Sequence, residues 1–380
     1  MIVQRFVTWC ETATTRERAE GATVLASSVI EGRVPQAERA SVLAVLTLIL
    51  DDPSPKVRLA LAETLAESEY APVSLVRALG EDIEEIACLV AGLSPVLSDV
   101  DLIDLAAIGS SRIQAAIAGR AVVSMRVAAA LAEIGGRLAC ATLLENEGAA
   151  IAAISHRRIA DRHGDDATIR DLQLQRSDLP IDVRQILVLQ LGQALADATM
   201  VRRTLGDLRA RALVSNCCER ATAMLADHVP PAEMPALIEH LRSSGQLSTA
   251  FLVRVVCAGN VDLFAAALVS LSGLSERRVR AIVVDGREAA FGALLTRCGL
   301  PIAAATLLRT AIQVWKQAIT QSATPAIEVV SAEVMQRLWA LHSARRDEAG
   351  FEAMTALLRR LEGETTLHLA RHQAEQLLAA

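Results

Sequence analysis

One stretch near the amino terminus, Asp51 to Glu67, constrains the fold more than any other part of the chain. It reads DDPSPKVRLALAETLAE. Pro53 and Pro55 do not fit the interior of a helix but suit its first turn, so a helix is expected to begin near Ser54. Apolar residues follow Val57 at i+3, i+4 and i+8, which places them on one helical face. The stretch predicts a turn followed by an amphipathic helix.

The same apolar stripe recurs along the first half of the chain. Aligned on Val57, the later copies begin at Ile86, Val127, Ile151 and Val183. These anchors are 24 to 41 residues apart, so the connecting loops differ in length. Each of these four later copies contains a further apolar residue that is expected to face the core: Leu93, Ile134, Ile154 and Leu191, respectively. The pattern predicts repeated pairs of antiparallel helices.

The composition agrees with a helical class. Hydrophobic residues make up 52% of the 380 residues and aromatic residues only 2%, which is typical of closely packed helices rich in alanine and leucine. A chain of this length exceeds one ordinary core, which predicts several domains or an extended repeat array.

Charge is distributed unevenly along the chain. Residues 1–200 contain 18 basic and 27 acidic residues, whereas residues 201–380 contain 20 basic and 17 acidic residues. The two halves are therefore expected to differ in role, and the acidic first half favours a basic protein partner.

The sequence favours a cytoplasmic protein. Its seven cysteines form no C-x-x-C pair and lie mostly among apolar neighbours, which predicts buried, reduced thiols. The amino terminus turns polar before an apolar segment of signal-peptide length develops, and the longest uncharged apolar runs are too short for a membrane span.

Two resemblances follow from particular residues. One signature in the Asp51 to Glu67 stretch resembles the second helix of HEAT repeats. It is formed by Asp52, Pro53, Pro55, Val57, Arg58, Ala60, Ala62 and Leu65. The chain also resembles an uncharacterised alphaproteobacterial family of domains of unknown function. Four segments carry this resemblance: RFVTWCETA, ILDDPSPKVRLALAETLA, LSPVLSDVDLIDLA and RIADRHGDD. The resemblance implies a HEAT-like fold over about the first 230 residues, and it implies no activity.

Asp51, Asp52 and Arg58 are the polar residues of the best-formed repeat. The first resemblance implies that they form a ladder, in which a carboxylate caps one helix and the guanidinium bridges to the next unit. Asp52 and Ser54 are alternative caps for the helix amides.

The segment LVSLSGLSERRVRAIV, residues 268–283, approximates helix-turn-helix spacing. Gly273 would make the turn, and Arg277, Arg278 and Arg280 would lie on the second helix, where they could contact an anion, a partner or DNA. The alternative is an ordinary helical hairpin with a basic, solvated face, which Val269 near the turn and the acidic net charge favour.

His368 and His372 lie one turn apart near Glu364 and Glu375, and this arrangement could hold zinc or iron. The alternative is an exposed helix whose histidines favour its negative end.

No phosphate-binding glycine loop, G-x-S-x-G or H-E-x-x-H motif occurs in the sequence, so neither an enzyme nor a cofactor is expected. The prediction is an all-α protein with a capped HEAT-like array, or α-solenoid, over residues 1–195. A long junction helix is expected over 196–230 and an irregular helical domain over 231–380. The expected function is a non-catalytic protein interaction scaffold, with DNA binding or metal-dependent catalysis as alternatives.

Overall fold

The computed structural model describes residues 2–226, 229–321, 326–343 and 351–379. These residues form helices, and within them the one β-type pairing is an isolated parallel bridge between Val123 and Ala149. The all-α prediction is confirmed. The chain divides into two compact units, Met1–Leu187 and Val188–Ala380.

The first unit is built from short helices. They are α1 (Ile2–Thr12), α2 (Thr15–Ile30), α3 (Gln36–Ile49), α4 (Pro55–Leu65), α5 (Val73–Gly80), α6 (Glu84–Leu93), α7 (Asp99–Ile108), α8 (Ser111–Ala118), α9 (Met125–Ile134), α10 (Arg137–Glu145), α11 (Ala153–His163) and α12 (Ala167–Gln175). α13 (Ile181–Asp197) follows and contains the boundary between the units.

Helices two apart in the chain pack against each other in this unit. α2, α4, α6, α8, α10 and α12 each contact the next member of that series, and α7, α9 and α11 do the same. From α4 to α12 the even-numbered helices begin 26 to 30 residues apart, at Pro55, Glu84, Ser111, Arg137 and Ala167. Such packing and spacing are typical of stacked helical hairpins. The HEAT-like type of the repeat stays a prediction.

A large residue followed by alanine forms the buried face of these helices. Ile86–Ala87 and Val90–Ala91 are fully buried in α6, and Leu131–Ala132 is almost fully buried in α9. Leu61–Ala62 repeats the pattern in α4. Because alanine ends at Cβ, the neighbouring helix approaches closely while the larger residue fills the space beside it.

The burial pattern corrects part of the predicted stripe. Buried positions recur at i, i+1, i+4 and i+5, so a residue at i+7 lies about 90° from the centre of the buried face. Leu93 and Ile134, both at i+7, are consequently exposed rather than buried. Leu191, at i+8 from Val183, is exposed as well. Ile154, also expected in the core, is 76% exposed. The copy at Val127 belongs to α9, an odd-numbered helix, which explains its irregular distance from the copy in α6.

Ion pairs join successive hairpins in the first unit. Arg18 donates from Nε to Asp52 Oδ2 over 2.7 Å, and Arg58 donates from Nε and Nη2 to Asp82 over 2.7 and 2.8 Å. Arg58 Nη1 also donates to the Asp52 carbonyl oxygen, and Asp52 Oδ1 accepts from the Ser54 amide. Arg58 therefore bridges to the next hairpin, and Asp52 supplies the side-chain acceptor at the start of α4.

The second unit contains longer and less regular helices. They are α14 (Thr199–Leu205), α15 (Asp207–Ala226), α16 (Met234–Ser243), α17 (Thr249–Cys257), α18 (Val261–Ser272), α19 (Glu276–Asp285), α20 (Glu288–Arg297), α21 (Ala303–Gln321), α22 (Ile327–Ser343) and α23 (Phe351–Ala379). The segment 196–230, expected as one long helix, instead contains α14 and α15. Gly206, with φ +77°, separates them.

α17 lies at the centre of the second unit. Every residue from Phe251 to Cys257 is buried, and α15, α18, α21, α22 and α23 all pack against this helix. A helix buried on all sides needs apolar residues around its whole circumference, which the sequence FLVRVVC provides except at Arg254.

The Arg58→Ala substitution should destabilise the first unit. The side chains of Arg58 and Asp82 are only 14% and 10% exposed, so the substitution leaves a largely buried carboxylate without its partner. We expect a loss of about 2 kcal/mol. Urea unfolding followed by circular dichroism measures it as a lower midpoint.

The matched control for this substitution is Arg16→Ala. Arg16 pairs with Glu20, but these side chains are 88% and 61% exposed, so the change should leave the unfolding midpoint close to that of the wild type. Equal midpoints for the two variants would show that the pair between hairpins does not stabilise the fold.

Candidate functional site

Four exposed apolar side chains mark the amino-terminal ends of three helices in the first unit. Val100 lies in the first turn of α7, Met125 begins α9, and Ile154 lies in the first turn of α11. Val122 precedes α9 in the connecting loop. Their exposed fractions range from 56% for Met125 to 77% for Val122. We call these four residues the apolar edge.

Hydrogen bonds hold the ends of these helices side by side. Ser124, the residue before α9, donates from Oγ to Asp99 Oδ2 at the start of α7 over 2.7 Å. The Val123 amide donates to the Gly148 carbonyl oxygen over 3.2 Å, and the Ala150 amide donates to the Val123 carbonyl oxygen over 3.0 Å. The three helix starts are thereby fixed along one edge, and the exposed apolar residues lie at that edge.

The apolar edge was not identified from the sequence. Ile154 was assigned to the buried stripe, and Val100, Val122 and Met125 were not singled out. One sequence signal could have identified these positions: an apolar residue that lies in the first turn of a helix but outside its buried face. Val100 and Met125 both have this placement, two residues before the first buried residue of the helix, Leu102 or Val127.

The residues of the repeat signature have structural positions. Val57 and Leu65 are fully buried, Pro55 begins α4, and Asp52 and Arg58 form the pairs between hairpins described above. Pro53 and Asp51 are exposed in the preceding turn. The signature therefore positions α4 and presents little surface to a partner.

The segment 268–283 forms a helical hairpin with a glycine turn. α18 ends at Ser272 and is capped by Gly273, which has φ +67°, and α19 begins at Glu276. Arg280 donates to Glu276 and to Asp262, over 2.8 and 2.6 Å. Arg277 and Arg278 are exposed. Two carboxylates thus accompany one of the three arginines expected to contact an anion, and DNA binding stays a prediction.

The structure describes the proposed metal ligands only in part. The side chain of His368 lies outside the described residues, and His372 is half-buried. Glu364, expected near these histidines, instead pairs with Arg254. No cluster of three or more potential metal ligands occurs among the residues that the structure describes. Within those same residues, no helix combines the length and the apolar character of a membrane span.

The cysteines are free thiols, of which Cys140 and Cys257 are buried and Cys217 is exposed. Burial raises the pKa of Cys257 to about 12 and that of Cys298 to about 11. Both sulfurs therefore remain protonated at neutral pH, a state in which a thiol is a poor nucleophile.

His156 is a fully buried polar residue of α11. Neither ring nitrogen makes a hydrogen bond within the described part of the chain, and Nε2 lies 3.5 Å from Asp178 Oδ1. Burial lowers the pKa of His156 below its ordinary value of 6.5, although Asp178 opposes this shift. The imidazole is therefore held in its neutral form in the folded protein.

Comparison with known proteins gives one family. The model of the family described as "Uncharacterised protein conserved in bacteria (DUF2336)" matches residues 86–349. This match begins after two of the four segments that carry the sequence resemblance and extends well into the second unit. No curated protein matches the chain, and no solved structure matches it.

The burial of His156 should make the first unit sensitive to acid. Between the lowered pKa of the folded state and 6.5, the unfolded chain binds more protons, so stability falls as the pH drops through this window. We expect the melting temperature of the wild type to fall more steeply from about pH 7 to about pH 5 than that of His156→Phe. Above about pH 7 the two proteins should show parallel profiles. Parallel profiles over the whole range would mean that His156 does not contribute.

Proposed function

The chain belongs to the bacterial family DUF2336, and we propose that it acts as a non-catalytic protein interaction scaffold of the bacterial cytoplasm. The apolar edge carries this proposal. Exposed apolar side chains are common singly, whereas a group of them at one edge is typical of contact surfaces.

The hydrogen bonds among the helix starts support a contact surface that is ordered before binding. Ser124 connects α9 to α7, and the Val123 segment connects α9 to α11. A partner that contacts a preordered surface loses less free energy to ordering that surface. The HEAT-like, solenoid character of the array is part of this proposal, because such arrays bind partners along extended surfaces.

Charge favours a basic partner. Residues 1–187, the first unit, contain 18 basic and 26 acidic residues. A partner that places apolar side chains on the edge and basic side chains around them would be attracted to this unit at long range. An amphipathic basic helix or an extended basic segment has this chemistry.

Replacing the edge should reduce partner binding. In the full-length protein, Val100→Ser, Met125→Ser and Ile154→Ser together remove three apolar contacts from exposed positions, so the fold should be retained. Tagged wild type and variant, produced in the source bacterium and cross-linked, are compared by quantitative mass spectrometry. We expect recovery of the specific partner to fall at least about tenfold.

The matched control changes exposed apolar residues of the second unit. Met200→Ser with Leu208→Ser alters side chains that are 82% and 87% exposed, and it should leave recovery unchanged. The purified partner should also bind the wild type more weakly as salt concentration rises. A partner lost from the control but retained by the edge variant would overturn the proposal.

A further inference from the structure

The second unit contains two adjoining cavities. The larger, of about 1080 Å³, lies among α16, α18 and α19, and the smaller, of about 270 Å³, lies beside α17 and α23. Ala258 and Ile327 line both cavities, so the two spaces meet at the carboxyl end of α17. Cavities of several hundred Å³ with mostly apolar walls are typical of small-molecule sites.

The larger cavity has an apolar body and a buried hydrogen-bond donor. Met234, Ile238 and Val269 contribute to its apolar wall. Gly259 and Trp315 also line it, and a Cβ on Gly259 would lie 2.9 Å from the indole ring. The Trp315 N–H is buried and makes no hydrogen bond among the described residues. Buried tryptophan N–H groups usually have an acceptor.

The smaller cavity holds a second buried donor. Arg254 is 3% exposed, donates from Nη1 to Glu364 Oε2 and donates from Nη2 to Asn216 Oδ1. Its Nε–H makes no hydrogen bond within the described chain, and the Glu219 carboxylate is 4.0 Å away. A buried N–H without an acceptor is unfavourable, so an acceptor atom in this cavity would be stabilised.

The charges around both cavities are balanced or slightly acidic. Two arginines, Arg220 and Arg254, face two glutamates, Glu328 and Glu364, in the smaller cavity. At the rim of the larger cavity, Arg280 pairs with both Asp262 and Glu276. The described residues that line the cavities therefore carry no net positive charge to compensate an anionic ligand.

We propose that the second unit binds a small uncharged amphiphile with carbonyl oxygens, such as an acyl amide or acyl ester. Its apolar body occupies the larger cavity, and its carbonyl oxygens accept hydrogen bonds from Trp315 Nε1 and Arg254 Nε. Apolar burial supplies affinity, and the two donors, each without an acceptor among the described residues, select oxygen acceptors over a purely apolar molecule. This binding is independent of the scaffold function proposed for the first unit.

The test is calorimetric titration of the full-length protein with matched probes. N-octanoylglycinamide is uncharged and carries two carbonyl groups, and N-octanoylglycine differs from it by an anionic end. Octylamine supplies the same chain length with a cationic end. We expect N-octanoylglycinamide to bind at least about tenfold more tightly than either charged probe.

Two variants locate the site. Trp315→Phe keeps an aromatic ring but removes the donor, and it should weaken binding of N-octanoylglycinamide about fivefold. Val269→Phe fills the larger cavity and should abolish binding, with thermal melting used to verify that the variant is folded. The matched control is Trp339→Phe, because Trp339 also has a buried N–H with no acceptor in the described part of the chain but does not line either cavity. This control should bind like the wild type.

Three results would overturn the proposal. Absence of heat with all three probes would show that the cavities are not a site of this class. Tighter binding of either charged probe would exclude an uncharged ligand. Unchanged binding by both Trp315→Phe and a folded Val269→Phe would place any binding elsewhere.

Discussion

The first unit depends on close helix-to-helix contact at alanine. Its helices have 8 to 16 residues, lengths at which an isolated helix is marginal in water, so their stability comes from the neighbours that cover each apolar face. In α6 the fully buried Ala87 and Ala91 are each next to a larger residue, which lets α4 and α8 pack on α6 without leaving space between the backbones. The even-numbered helices are thus buried largely by the helices two before and two after them, and the packing runs mainly between near neighbours in the chain.

Ion pairs and hydrogen bonds fix the register of this packing. The pairs Arg18–Asp52 and Arg58–Asp82 each join residues of successive hairpins, and their geometry fixes how far one hairpin slides along the next. Against the effect of burial, the hydrogen bonds from Arg58 and the Ile83 amide lower the pKa of Asp82, so the carboxylate stays charged in this setting. At the other end of the unit, Ser124 and Val123 fix the helix starts that carry the apolar edge. Short-range polar interactions therefore hold both the stacked hairpins and the candidate contact surface in place.

The sequence predicted the helical class and the start of α4 because these depend on local signals such as the apolar period and the proline turn. The resemblance to HEAT repeats implied the bridging role of Arg58. It did not predict which side of the stripe is buried. That depends on alanine at i+1, which no local signal distinguishes in a chain so rich in alanine, and the error placed Leu93 and Ile134 in the core. Ile154 is misplaced for another reason, because its stripe is aligned on Ile151, which precedes α11. The predicted long junction helix is interrupted at Gly206, whose left-handed backbone ends α14. The smaller cavity combines residues from α15, α17, α22 and α23, which are too far apart in the chain for any local pattern to join them.

The burial of α17 on all sides makes the second unit cooperative in a way that the first is not. A hairpin at the end of a stack can open while the rest stays folded, since it covers only its neighbour. α17 instead packs against α15 before it and against α18, α21, α22 and α23 after it. Glu364 of α23, more than a hundred residues away in the chain, neutralises Arg254. Opening any of these five helices would expose α17 to water or uncover that charge. The backbone amides of α17 should consequently exchange with solvent only through a large cooperative opening of the unit, whereas amides of the first unit exchange hairpin by hairpin.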